Sequence, residues 1–249
     1  MIRALFCALA LSASMSLPAQ SLDIDAMSEA ERDAFRAEIR SYLLENPEII
    51  MEAVGVLEDR EAQQQAQADV ALVVANQDAL WEDTHSWIGG NPEGDITLVE
   101  FIDYRCGFCR RAAPDVNALV EGDGNIRLIV KEFPILGEES MVSSRFAISV
   151  KQVVGDEAYR DVHDALLALS GETNETALRR LSDTFGLPTE DVLSHMNSEQ
   201  VTEVIAANHA LGQRLRISGT PTFVMADQVL RGYVPLDQLQ VLAQQIRAQ

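Results

Sequence analysis

The chain has 249 residues, 47% of them hydrophobic and 23% charged, with a formal net charge of −20. That is enough material for one sizeable domain plus an extension. So acidic a balance argues against the clustered lysines and arginines that nucleic acids and anionic membranes attract, and no nucleic-acid partner is expected.

Residues 1–19 read as a secretory signal: Arg3 gives a short positive start, residues 4–13 are apolar, and small residues lead to Ala19-Gln20. That apolar stretch is too short to span a bilayer; the alternative is an ordinary buried helix. Cleavage after Ala19 removes Cys7 and leaves Cys106 and Cys109 as the cysteine pair. An exported protein whose cysteines form one close pair is expected to use them for chemistry rather than as a staple, and oxidising compartments such as the periplasm are where disulfide chemistry runs.

Ser28 and Glu31 form a capping-box pattern, and Phe35, Ile39, Tyr42 and Leu43 continue it at helical spacing. Asn46-Pro47 should stop that helix, with Asn46 capping a second one whose apolar face is Ile50, Val54 and Leu57. Residues 60–69 favour helix but are nearly all polar, which suits a solvent-exposed connector. Residues 20–85 therefore read as a helical arm with too few large side chains for a core of its own. It packs on the main domain or associates with other copies.

The Gly- and Pro-rich stretch 89–95 reads as a turn cluster, and residues 96–103 as a strand. Cys106-Gly107-Phe108-Cys109 follows and opens a helix to about residue 120 that contains Pro114, a kink site. The first N–H groups of a helix lack intrahelical partners and carry partial positive charge, so a thiolate at Cys106 is favoured there. Cys109, one turn in, can close a small disulfide ring with it. The pair reads as a thiol–disulfide exchange centre in which Cys106 attacks and Cys109 resolves. A zinc or copper site built from the thiols is the alternative, but zinc needs two more ligands, and His85, His163, His195 and His209 lack metal-ligand spacing. No metal and no cofactor is expected.

Residues 126–133 form a second strand, parallel to the first because a helix joins them. Helical segments follow at 140–154, 156–169, 175–185, 190–196 and 199–216, then a hairpin with strands at 222–226 and 229–233 and its turn at Asp227-Gln228, then a helix at 236–246. Glu100 shares its strand face with Ile96, Leu98 and Ile102 and should point inward, unless its carboxylate escapes at the strand end. Arg105, Arg110 and Arg111 flank the thiols, either to favour the thiolate or simply as an exposed helix face.

The order of strand, CxxC, helix, strand, helical block, Gly219-Thr220-Pro221, hairpin and helix resembles the DsbA-like family of exported disulfide oxidoreductases. The resemblance covers residues 96–249 and implies an α/β thioredoxin fold with a helical insertion at 138–216, preceded by the N-terminal helical arm. Leu98-Val99-Glu100-Phe101 before Asp103-Tyr104-Arg105-Cys106 matches the approach to the family's active site, and Pro114 its kink proline. The Thr220–Pro221 bond reads as trans by frequency alone; the resemblance implies a cis-proline loop beside the nucleophilic sulfur, with Thr220 offering its backbone to an extended substrate. It also implies that Glu100 is a buried acid that exchanges a proton with Cys109. Residues 42–50 look like the stalk of the suppressor-of-copper-sensitivity C group, whose arm can oligomerise.

Gly107-Phe108 lacks the proline and histidine of the strongly oxidising DsbA type and resembles the Gly-Tyr dipeptide of exported isomerases; Thr220 before the proline points the same way. The expectation is a periplasmic protein-disulfide oxidoreductase with Cys106–Cys109 as its redox-active disulfide, an isomerase or reductase working as an oligomer, with a monomeric oxidase as the alternative. Its partners would be reduced or misfolded exported proteins and a membrane redox partner.

Overall fold

The computed structural model describes residues 25–248. The expected signal and Cys7 lie outside the described residues. The chain divides into two compact units at Asp59/Arg60, a division that falls inside one helix.

The first unit holds α1 (Glu29–Glu45) and the start of α2 (Glu48–Ala75). The capping box forms: Ser28 Oγ accepts from the Glu31 N–H, and Glu31 accepts from the Ser28 N–H. Asn46 differs from expectation. Its side chain donates to the Tyr42 carbonyl at 2.9 Å and so closes α1 rather than capping α2. No residue of α1 is buried, and Phe35, Ile39, Tyr42, Ile50, Met51 and Leu57 are exposed.

The second unit begins with the rest of α2. The polar stretch from residue 60 is helical and exposed as far as Gln67, as expected, and it continues α2 without a break because Ala, Gln and Glu all favour helix. Its last turns are not solvent-bridging: Val73 is fully buried, and Asp69 makes a bidentate pair with Arg231 at 2.6 and 2.8 Å. A short α3 (Gln77–Trp81) follows, and its Leu80 is also fully buried.

The sheet has five strands in the order β1-β3-β2-β4-β5: β1 (Trp87–Gly90), β2 (Ile96–Ile102), β3 (Ile126–Glu132), β4 (Thr222–Met225) and β5 (Gln228–Arg231). As the intervening helix required, β2 and β3 are parallel; β1 pairs antiparallel with β3, and β4 antiparallel with β2 and β5. Strand β1 was not expected, because Gly89-Gly90 looks like turn chemistry. Here the glycines serve close approach: a Cβ on Gly89 would collide with the Trp87 indole, and one on Gly90, at φ 64°, with the Ile126 carbonyl. The hairpin turn falls one residue early, at Ala226-Asp227.

Helices cover both faces of the sheet. One face carries Leu98, Ile102, Val130 and Phe223 under α4 (Gly107–Asp123), α5 (Glu138–Val153), α6 (Asp156–Ala168) and α10 (Leu236–Arg247). The other carries Val99, Phe101, Ile129 and Val224 against Val73, Leu80 and Leu211 of α9 (Glu199–Arg214). The helical insertion is completed by α7 (Glu175–Phe185) and α8 (Thr189–His195). Pro114 lies inside α4 without ending it. Among the described residues no helix is long and apolar enough to cross a membrane.

Candidate active site

Strand β2 delivers the chain to a tight turn before α4, and Asp103 builds that turn. It is fully buried. Its Oδ1 accepts from the Arg105 N–H at 2.8 Å, its Oδ2 from the N–H groups of Ile135 and Leu136 at 2.8 and 3.0 Å, and its carbonyl from the Cys106 N–H at 3.0 Å. One carboxylate thus ties the CxxC turn to the loop after β3.

Cys106 is the N-cap of α4, with extended backbone at φ −76° and ψ 118°. Its thiol donates to the Thr220 carbonyl at 3.1 Å. The Thr220–Pro221 bond is cis. The fold therefore brings the cysteine pair and the Thr220-Pro221 loop together. Both cysteines carry free thiols; Cys106 is 7% exposed and Cys109 1%. The two thiols differ in exposure only by degree. Burial pushes the Cys109 thiol far above the usual range; the backbone around Asp103 opposes this, and Cys106 and Glu100 reinforce it.

Glu100 points inward from β2 and is 4% exposed. Burial pushes its carboxyl up to about 8, and among the described residues no side chain or backbone group hydrogen-bonds it. It lines a cleft of about 390 Å³ between α4 and α6, together with Trp87, Val116, Asn117, His163 and Asp164.

The three arginines near the thiols are engaged elsewhere. Arg105 pairs with Glu139 at 3.1 Å and donates to the Gly171 carbonyl, Arg110 donates to the Tyr104 carbonyl at 3.0 Å, and Arg111 lies over the Tyr233 ring. Phe108, between the cysteines, is 58% exposed.

A buried polar cluster behind the turn escaped the sequence reading. The Tyr104 and Tyr159 hydroxyls both donate to Glu132 Oε1, at 2.7 and 2.6 Å, and Tyr104 also meets His163 Nδ1 at 3.0 Å. Trp87 stacks on Tyr159 and His163. Burial pushes Glu132 up to about 7, against the pull of its tyrosine donors, and His163 down to about 4. The partners lie 28 and 27 residues from Glu132, with no local pattern to link them; a lone acid closing an apolar strand was the only available signal. Among the described residues no three His, Cys, Asp or Glu side chains gather as a metal-holding group.

Residues 97–244 match the model of the DSBA-like thioredoxin domain, and residues 31–64 that of the copper resistance protein ScsC N-terminal domain. A thioredoxin-like oxidoreductase from Silicibacter pomeroyi is 42% identical with a TM-score of 0.66, over 70% of this chain and 99% of that one. BcfH of Salmonella enterica Typhimurium is 30% identical with a TM-score of 0.71, over 86% of this chain and 95% of that one. A Na(+)/H(+) antiporter, NhaA 1 of Salinispora arenicola, is 28% identical over 137 residues, or 55% of this chain; the match spans only 21% of that relative's length.

Proposed function

The chain belongs to the DSBA-like thioredoxin domain family of thiol–disulfide oxidoreductases, and we propose that it is an exported, periplasmic member that reduces or reshuffles disulfides of other exported proteins as a self-associated oligomer. The observation that carries this reading is the Cys106 thiol at the start of α4 against the Thr220 carbonyl, with Cys109 buried beneath it.

In the reducing direction the Cys106 thiolate attacks one sulfur of a client disulfide. The client S–S bond breaks, its other sulfur leaves as a thiolate and takes up a proton, and a Cys106–client disulfide forms. Cys109 gives its proton to the Glu100 carboxylate and attacks the Cys106 sulfur. The second client sulfur leaves, and the Cys106–Cys109 disulfide forms. The client has gained two electrons that this chain has lost, and a membrane redox partner would return them. Where a client thiol attacks the mixed disulfide first, the client is reshuffled and the chain keeps its dithiol.

A carboxyl held near 8 is suited to passing a proton back and forth close to neutral pH. The cleft beside it, bordered by the exposed Asp164, offers that proton a way to solvent. Thr220 and Pro221 would hold an extended client strand by its backbone. Gly107-Phe108 and Thr220 support an isomerase or reductase over an oxidase. The exposed apolar residues of α1 and early α2 support self-association, which raises the effective concentration of a second active site on one client.

Insulin reduction and refolding of scrambled ribonuclease, run on wild type and Cys106→Ser, test the chemistry; equal activity in both would sink it. Mass in solution for the full chain and for a form lacking residues 20–59 tests the oligomer. A monomeric full chain removes the oligomer and leaves dithiol exchange standing.

A further inference from the structure

The helical insertion carries a groove of about 610 Å³ between α5, α7 and α8. Its floor is apolar, formed by Val142, Leu178, Leu193 and Met196. Glu138, Glu139, Glu175 and Glu190 stand around it, and no lysine or arginine lines it. Two of the neighbouring arginines offset part of that charge from outside: Arg179 pairs with Glu175 and Glu190, and Arg105 with Glu139. Glu138 is exposed and has no ion pair among the described residues, so the groove keeps a net negative rim.

Arg105 also fixes where the groove lies. It is the residue before Cys106, and its guanidinium reaches both Glu139 on the groove wall and the Gly171 carbonyl. A single arginine side chain therefore separates the nucleophile's turn from the groove. A polypeptide with one cysteine at Cys106 has only a few residues to cross before its neighbouring side chains meet this surface, since each extended residue covers about 3.3 Å.

We propose that this groove is a second docking site for the client, taking an amphipathic segment that bears lysine or arginine beside leucine-like side chains and lies near the cysteine being exchanged. The proposal rests on the dithiol-exchange reading and adds a specificity that the cysteine pair does not supply. Apolar side chains of the client cover the floor, and its cations meet the acidic rim, which favours basic segments and speeds their encounter. Acidic segments are repelled by the same rim.

The test uses the full chain with Cys106 and Cys109 oxidised. Two cysteine peptides with the same core are compared, one with a tail of lysine and leucine, the other of glutamate and leucine, and glutathione serves as a thiol too small to reach the groove. The basic peptide should attack about fivefold faster than the acidic one, the size of one partly exposed ion pair, and the gap should shrink with salt. Glu138→Lys should bring the two peptides close to parity, with Leu193→Gln slowing both, while the glutathione rate stays unchanged. Asp227→Lys, the same charge change in the hairpin turn, should leave the gap in place. Equal rates for the two peptides on wild type overturn the proposal. So does a gap that survives Glu138→Lys, or one that Asp227→Lys erases equally, since overall charge then explains it. A chain that also fails to react with glutathione overturns the exchange reading itself.

Discussion

The Cys106 thiol donates to the Thr220 carbonyl at 3.1 Å, across 114 positions of sequence. The nucleophile and the proposed client-binding strand are thus one local structure, although the whole helical insertion lies between them in the chain. Changes on either side of that contact should register at the sulfur.

Alkylation should distinguish the two thiols. Cys109 is almost fully buried and its thiol is pushed far up by that burial, so few thiolates exist at neutral pH. Brief iodoacetamide treatment of the reduced chain at pH 7, followed by peptide mass spectrometry, should find label on Cys106 at least ~100-fold ahead of Cys109. Faster labelling of Cys109 would reverse the proposed roles.

Glu100→Gln should slow exchange and flatten its pH dependence near 8. It should also change stability in a defined direction. The folded carboxyl sits at about 8, above its ordinary 4.5. It therefore holds its proton more tightly folded than unfolded. The resulting stability is fully present below pH 4.5 and is lost progressively as pH rises to about 8. Wild type should lose up to roughly 5 kcal/mol relative to the Gln variant over that window. Urea unfolding at the two ends, run on both proteins, measures it; a constant difference would mean that Glu100 is not a buried acid.

Lys131 is fully buried on the second sheet face, pairs with Asp83 and donates to the Ala79 carbonyl at 2.9 Å. Burial alone pulls its ammonium down to about 7, and the pair with Asp83 favours the charged form. Asp83→Asn should cost about 3–5 kcal/mol by leaving a buried cation without its counter-charge. Asp83→Asn with Lys131→Met should recover most of that loss. A denaturant double-mutant cycle checks it, and an additive pair would show that the two side chains are not coupled.

Truncation should have a sharp limit. Removing residues 20–59 deletes the first unit's described part and should leave the second folded. Removing residues 20–75 also deletes buried Val73 and the Asp69 partner of Arg231. Val73 alone is worth about 1.5–3 kcal/mol, so the longer deletion should unfold at clearly lower urea. Equal midpoints would show that the end of α2 is dispensable to the domain.

Tyr104→Phe should cost about 1–2 kcal/mol, since Glu132 loses one of two hydroxyl donors to the same oxygen. Because the Tyr104 hydroxyl anchors the turn that presents Cys106 to Glu132 and His163, the Cys106 alkylation rate should change as well. A stability loss with no change in that rate would leave the cluster a purely structural support.

Local chemistry was legible in the chain itself. Apolar runs announced β2 and β3, the Ser28–Glu31 box announced α1, and the CxxC at a strand–helix junction pointed to the thiol pair. Strand alternation placed Glu100 inward, where it lies. These features depend on residues within a turn or two of one another, so composition and spacing suffice. What depended on distant partners was decided by the tertiary structure. Gly89-Gly90 suits a strand here because the Trp87 indole and the Ile126 carbonyl of β3 come too close for side chains. The end of α2 joined the core because Arg231 and the second sheet face were there to receive it. Arg105, Arg110 and Arg111 turned from the thiols toward nearer partners. Tyr104, Glu132, Tyr159 and His163 meet only where the turn before α4, the end of β3 and α6 pack together, because a buried polar group accepts whichever partner the packing supplies.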